Sequence, residues 1–497
     1  MLGVVEQSPG QMPQRSPESF SLPSMRQSKA TFGAVYSELA LHKAVLKAYT
    51  KPLFSWRKAL QRSHDGRTLY DFARETPRHV EQLHQALSRR QFCFREGVEL
   101  HYNLNGKHRT IYLFPWEERI VDLLLYQTLN RYLNGAFSKN SYAYRHRGYG
   151  VDVCQHRIEA RLGAMTAPVY FIKRDIANFF PSIDHELLLR MLGHWVEPAD
   201  YLFKLLEQRV RFSIRAGEEI KTASVGVPFG TAIACLFANI YLTPLDHEME
   251  AIPGVHYFRY ADDMLVFSSD RGRAQEAAER LDHAIAALKL SSKPAHHRDF
   301  YFPAGEVNDD RFEAVEKFRH LGLEFRKDGS IGLSRDKSRK ICNLFRFAFR
   351  RAGRKFRSVA EPAHRAQLAV SLARDLVEKG FRSVAIIDYY LKHVKDEHQL
   401  ARLDRWLAEE ILSVTFQNGH RKGNFRKLSY DRLREMGLPS LQHRRRLLRH
   451  GHLKTSFFVL RVEKLIEQQR RRLPRGKREK SASPFPSGPE AAAEKAS

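Results

Sequence analysis

The apolar positions fall into two kinds of run. Tyr257-Phe-Arg-Tyr-Ala-Asp-Asp-Met-Leu-Val-Phe267 holds two short stretches rich in Tyr, Phe, Val and Leu that meet at Asp262 and Asp263. Neither is long enough for a helix, so the pattern predicts a β-hairpin with the acids at its tip. Val169-Tyr-Phe-Ile-Lys-Arg-Asp175 reads as a buried strand ending in an acid, and Glu99-Leu-His-Tyr102 and Thr110-Ile-Tyr-Leu-Phe114 as shorter strands joined by Asn105-Gly106. Helical spacing governs residues 36–91, where Leu39, Leu41, Val45, Leu46 and Tyr49 recur, and then 116–133, 185–192 and 232–249. Alternating helix and strand predict a mixed fold. Beyond Phe325 only helical patterns follow, through Phe345, Phe347, Phe349 and Phe356 and then residues 386–412.

Charge narrows the partners. Over 497 residues there are 83 Lys and Arg against 56 Asp and Glu, a formal net charge of +27. So large an excess favours a polyanion, nucleic acid before membrane. Cys93, Cys154, Cys235 and Cys342 form no Cys-x-x-Cys pair, so the reading is free thiols in a reducing cytoplasm rather than a zinc module or disulfides. No signal pattern or spanning segment is predicted. The expected divisions are a flexible arm over 1–30, N-terminal helices and short strands over 31–164, a mixed region with the strand and hairpin that carry the acids over 165–330, a helical region over 331–473 and a disordered tail over 474–497, the arm and tail from their polar, Pro- and Ser-rich composition.

Adjacent carboxylates repel, a cost best offset by a divalent cation, although Asp also favours plain turns. Asp175 could likewise cap the turn that follows it. Were the strand and the hairpin to pair in one sheet, Asp175 would lie beside Asp262 and Asp263, an arrangement that holds two Mg²⁺ ions for in-line phosphoryl transfer. Arg145, beside glycines in the aromatic loop 141–150, suits a phosphate grip that Lys107 and Arg109, a little upstream, could join, although any one of them more readily reads as a surface cation with no role. Ser224-Val-Gly-Val-Pro-Phe-Gly-Thr231 is a bent loop before a helix.

In their order these segments resemble the palm and fingers of reverse transcriptases, within them the bacterial group-II-intron-like lineage, over residues 85–330. Asp175 with Phe179-Phe180, Gly226 to Asn239, Tyr260-Ala-Asp-Asp263 and Gly322 in Phe318-Arg-His-Leu-Gly-Leu-Glu-Phe325 match its palm motifs; Arg109, Phe137, Ser141-Tyr-Ala-Tyr-Arg145 and Gly148 match its fingers motifs. The resemblance implies an α+β right-hand polymerase with an antiparallel palm sheet and an all-helical basic thumb. It implies Asp175, Asp262 and Asp263 as catalytic, holding two Mg²⁺ (or Mn²⁺) ions with Ile176. Lys107, Arg109, Arg145, Phe180, Phe229 and Gly230 would meet the nucleotide, with Phe180 as the steric gate. Tyr260, Gly322, Lys337, Arg339 and Lys340 would meet primer and template. The implied partners are an RNA template, a DNA product and dNTPs, with room for a homo-oligomer or a second protein.

Two departures refine this. Where group II intron and retroviral enzymes carry Pro-Gln-Gly and then Ser-Pro, this chain has Pro228-Phe229-Gly230 and Ala234-Cys235. The apolar Phe229 is more similar to diversity-generating and phage-defence enzymes, and the former generally have Ser-Gln at Ala234-Cys235. The expectation is therefore a cDNA-making reverse transcriptase of phage defence working with a non-coding RNA. A diversity-generating enzyme or an RNA-binding maturase is the alternative.

Overall fold

The computed structural model describes residues 22, 28–50, 58–59, 61–104, 107–145, 148–305, 309–380, 386–421 and 423–453. Most of the expected N-terminal arm and all of the expected tail lie outside the described residues. The arm's last residues are docked: Ala30 N–H donates to Trp195 O at 2.8 Å and Glu197 N–H to Ala30 O at 3.0 Å. The chain divides into two compact units, Met1–Ser334 and Arg335–Ser497.

The first unit is built on two larger sheets and a small one. Strands β1 (Gly97–Leu104), β2 (Lys107–Leu113), β4 (Ser213–Ala216) and β5 (Glu219–Thr222) form one in the order β2-β1-β4-β5. The central sheet joins β3 (Val169–Asp175), β6 (His256–Tyr260), β7 (Asp263–Ser268), β8 (Arg298–Phe302) and β9 (Glu313–Ala314) in the order β6-β7-β3-β8-β9. Its three neighbouring pairs among β6, β7, β3 and β8 are antiparallel, as the resemblance implied for the palm.

The two-residue period of β3 assigns its faces. Ile172 joins Met264 and Val266 in the core shared with the long helices. Arg174, fully buried on that face, donates to Asp282 Oδ1 at 2.7 Å and Asp299 Oδ1 at 2.7 Å, the former on the helix Arg271–Ala287. On the opposite face Phe171 packs on Phe267, Phe300, Phe302 and Phe318 with ring centroids 4.7–5.6 Å apart. Phe318 belongs to β10 (Lys317–His320), which with β11 (Leu323–Arg326) and β12 (Ile331–Leu333) makes the three-stranded sheet closing this aromatic core. Leu321 and Gly322 form the β10–β11 turn with φ of 46° and 82°, the doubly left-handed geometry of a tight hairpin in which glycine is favoured.

The helical expectations hold in outline, as Trp116–Tyr132, His185–Trp195 and Ala232–Glu250. In the helix Glu38–Thr50 the apolar periodicity overreaches: Leu41, Ala44 and Val45 are buried, whereas Leu39 and Leu46, seven residues apart on one face, are 62% and 63% exposed. The second unit is helical throughout its described residues, chiefly Arg335–Arg351, Pro362–Asp375, Ile386–His393, Glu397–Phe416 and Leu441–Arg449. No described helix is long and apolar enough to cross a membrane.

Candidate active site

The expected convergence of carboxylates is met by register. Asp175, the last residue of β3, pairs directly with Asp263, the first of β7, and Tyr260 pairs with Asp263 across a two-residue turn made by Ala261 and Asp262. Cross-strand partners stand about 5 Å apart at Cβ, so backbone pairing alone brings the three acids to one end of the sheet. They lie just past the aromatic face, where Lys173 and His320 replace phenyl rings.

Ala261 has φ 60°, a left-handed value that suits glycine, and as a non-glycine residue it stores strain of about 1–3 kcal/mol. A buried network holds it there. Arg259 Nη1 donates to Ala261 O at 3.1 Å and to Asn239 Oδ1 at 3.3 Å, while Nε and Nη2 form a fork with Asp246 at 2.6 and 2.5 Å. Asp246 also accepts from Tyr257 Oη at 2.7 Å, and both members of the ion pair are about 1% exposed. Burial works against the Arg259 charge, but Asp246 outweighs it and holds the guanidinium above its ordinary pKa. The same network places the Ser141-Tyr-Ala-Tyr-Arg145 segment. Arg259 N–H donates to Asn140 O and Tyr142 N–H to Arg259 O, both at 2.9 Å, and Asn239 Nδ2 reaches Ala143 O at 3.0 Å.

Charges separate the acids into two groups. Lys293 Nζ lies 2.6 Å from Asp175 Oδ1 and 3.7 Å from Asp262 Oδ2, and its N–H donates to Asp175 O at 2.7 Å. Burial and then the charge of Asp175 push the Asp262 carboxyl up to about 6. Burial also raises Asp263, but His320 and Lys173 outweigh it and hold that carboxyl below its usual value. His320 Nδ1 is 3.4 Å from Asp263 Oδ1, an ion-pair distance without hydrogen-bond alignment, so this oxygen is buried with no hydrogen bond. A carboxyl raised by burial and by its neighbour, an orphaned carboxylate oxygen and a lysine drawn between two acids suit a divalent cation with oxygen ligands. The bridge of Ile176 to Ser292 uses the carbonyl of Asp175 and the N–H of Ala177, not the Ile176 carbonyl.

Next to this centre lies an aromatic floor. Phe180 opens a short 3₁₀ turn, Phe180–Ser182, and packs on Phe229 with centroids 4.9 Å apart and on Tyr144 at 6.3 Å. Burial raises the Tyr144 phenol, and Cys235 and then Asp262 add to that. Phe229 O accepts from Tyr112 N–H at 3.1 Å, tying the loop to β2. Gly226 is required by space: a Cβ there would lie 2.9 Å from Pro181 O. Gly230, with φ 107°, is exposed at the end of the loop.

Other expectations change. Arg145 is no free phosphate grip, because Nη1 donates to Ser138 O and Ser141 O, Nη2 to Asn134 O and Oδ1, and Nε to Asn134 Oδ1, using every N–H of the fork. Its guanidinium also lies 4.0 Å from the Tyr149 ring centre, so it clamps its own loop. Lys107 and Arg109 sit on β2, their side chains outside the described set. In the second unit Lys337 rests over the Tyr390 ring at 4.5 Å and its pKa is lowered by burial, while Arg339 and Lys340 are exposed. The basic patches at 420–427 and 443–450 meet in a cavity of about 1690 Å³ whose lining includes Arg405, Arg421, Arg434 and Arg446. The sequence reading missed Lys293 and His320: Lys293 stands in no apolar pattern, His320 lies within the quoted 318–325 stretch without being singled out, and each is brought to the acids only by long-range pairing.

Residues 87–325 match the family model described as "Reverse transcriptase (RNA-dependent DNA polymerase)". The span includes β3 to β8, the three acids and Lys293. Among curated proteins the chain is similar to the "Retron Ec83 reverse transcriptase" of Escherichia coli, 24% identical over 187 residues, which is 36% of this chain and 55% of that protein. Among solved structures it is similar to an apo telomerase from Candida tropicalis truncated from its C-terminal domain, at TM-score 0.38 and 14% identity, covering 48% of this chain and 55% of that one. The chain thus spans about half the length of each.

Two outcomes follow from the site. Asp246→Ala leaves Arg259 buried without its carboxylate and should cost about 3–5 kcal/mol, read as a lower urea midpoint; a loss below about 1 kcal/mol would show that the pair does not hold the fold. In metal-free protein, carboxyl NMR should find Asp262 titrating near pH 6, and Asp175→Asn should move it down by removing the neighbouring charge. An Asp262 that titrates like an exposed carboxyl in both proteins contradicts the convergence.

Proposed function

We propose that the chain is an RNA-directed DNA polymerase that extends a DNA strand by nucleotidyl transfer at Asp175, Asp262 and Asp263. The observation that carries this is the pairing of Asp175 with Asp263 beside a turn that presents Asp262, within a span matched by the reverse transcriptase model. Asp175, Asp262 and the Ile176 carbonyl would hold Mg²⁺, or Mn²⁺ in its place, with Asp263 assisting; two such ions would polarise the attacking hydroxyl and stabilise the leaving pyrophosphate. The protein's own part is to bring the carboxylates to one end of the sheet before any ion arrives, with Lys293 Nζ 2.6 Å from Asp175 and 3.7 Å from Asp262. Lys293 neutralises Asp175 and Asp262 meanwhile, so the acids converge without unrelieved repulsion. Phe180, braced by Phe229 and Tyr144, forms the wall under the sugar of the incoming dNTP and rejects a 2′-hydroxyl by its bulk. Gly230, Lys107 and Arg109 remain candidates for nucleotide contact, and Tyr260, Gly322, Arg339 and Lys340 for primer and template.

We further propose a cytoplasmic role in phage defence, with a dedicated non-coding RNA as template. Phe229 in place of Gln supports this over a group II intron enzyme, and Ala234-Cys235 in place of Ser-Gln supports it over a diversity-generating enzyme, which would lie beside template and variable repeats. Three intact acids at one end of the central sheet weigh against a purely RNA-binding maturase.

Primer extension with purified protein on a defined RNA template tests the reading. Wild type should add dNTPs only with a divalent cation. Asp262→Asn, which keeps size and removes charge, should reduce extension at least about 100-fold, the scale of a lost transition-state electrostatic contact, with folding unchanged. Phe180→Ala should extend and accept ribonucleotides more readily. Extension by Asp262→Asn at the wild-type rate would sink the assignment, and an unchanged sugar preference in Phe180→Ala would remove the gate.

A further inference from the structure

The helix Arg335–Arg351 has an outward face that its packing does not explain. Ile341, Phe345 and Phe349 are its buried residues, and Phe345 lies 6.4 Å from Trp406 of the helix Glu397–Phe416. Phe347, between the two buried phenylalanines, points the other way and is 67% exposed. A helix gains nothing in folding from a phenyl ring held in water.

The charged neighbours of Phe347 on that face are cations, beside the neutral Asn343 at i−4 and Leu344 at i−3. Helical spacing puts Lys340 at i−7, Arg350 at i+3 and Arg351 at i+4, with Arg354 just beyond in Gly353–Ser358. All four are exposed, and none of them meets a carboxylate among the described residues. The helix's one acid, Asp336, is eleven residues from Phe347, about 16 Å along the axis. Lys340 and Arg351 stand about 10 Å and 6 Å from it on opposite sides. A ring with cations before and behind it along one line, none of them meeting a carboxylate among the described residues, matches a nucleotide strand, in which each base is flanked on both sides by phosphates. A second copy of this surface, or another basic segment, would be repelled.

We propose that Phe347, with Lys340, Arg350 and Arg351, forms a strip that binds single-stranded nucleic acid, the ring stacking on an unpaired base and the cations holding the adjoining phosphates. Inside a duplex both faces of every base are already covered, so a ring exposed in this way has a stacking partner only where bases are unpaired. The inference rests on the polymerase reading only for the identity of the strand, which there would be unpaired template.

The test is equilibrium binding by the full chain, without nucleotides, to a dye-labelled single-stranded RNA, a DNA of the same sequence and a blunt duplex. Phe347→Ala should weaken binding to the single strands roughly 5- to 150-fold, with an unchanged melting temperature because the ring is exposed. Phe347→Trp should keep the affinity and Phe347→Leu should lose it, which separates stacking from plain apolar contact. Lys340→Gln and Arg351→Gln should each lower the salt dependence of single-strand binding by about 0.7 in log–log slope. Wild-type affinity in Phe347→Ala, rescue by Leu, a loss confined to the duplex, or a change in oligomeric state with binding intact would each overturn the proposal. If the wild type binds through Phe347 yet never extends a primer, the polymerase reading fails and the strip stands; if it extends normally and Phe347→Ala binds normally, the strip alone fails.

Discussion

The site depends on one buried ion pair. Arg259 and Asp246 join β6 to the helix Ala232–Glu250, and the same guanidinium reaches Ala261 O in the turn that carries Asp262. Removing two charges from water is costly and is recovered only with good geometry and further hydrogen bonds. Here Tyr257 and Asn239 supply them. The strained Ala261 persists because its carbonyl belongs to a network that cannot relax without exposing a buried charge. Through Asn239 and the backbone of Asn140 and Tyr142, the network also fixes the loop before the helix Val151–Leu162. Turn, helix and loop are therefore set by one constellation.

A second constraint is electrostatic. The antiparallel register delivers three carboxylates to one sheet end, a grouping that would repel itself in isolation. Lys293 answers Asp175 and Asp262, and His320 with Lys173 answers Asp263. Asp175 and Asp262 share Lys293, whereas Asp263 is matched from the β10 side. In the proposed function the first two are the pair that would take the ion. The aromatic stack beneath, from Phe171 through Phe318, keeps the β10–β11 hairpin against the sheet and so keeps His320 in place.

Much of this was legible in the chain because its signals are local. The hairpin around Asp262, the strand ending at Asp175 and the bend at 224–231 each announce themselves within about ten residues, through period-two alternation and turn chemistry. The partners were not legible, for a physical reason. Lys293 lies 118 residues from Asp175 and meets it through a single bridge beyond the strand, which no local pattern encodes. Arg145 misled because arginine beside glycine suits a phosphate grip and a loop clamp equally, and only the positions of Asn134, Ser138 and Ser141 decide between them. Leu39 and Leu46 misled because helical spacing marks an apolar face without saying whether anything covers it.

The central claim is that Asp175 and Asp262 form a divalent-cation site in which Lys293 holds the place of the ion. Crystals of the protein grown with Mn²⁺ and measured by anomalous scattering test it most directly. The account predicts manganese between Asp175 and Asp262, with Lys293 Nζ withdrawn from its 2.6 Å contact with Asp175. Manganese absent from these carboxylates at saturating concentration, with Lys293 still bridging them, would contradict it.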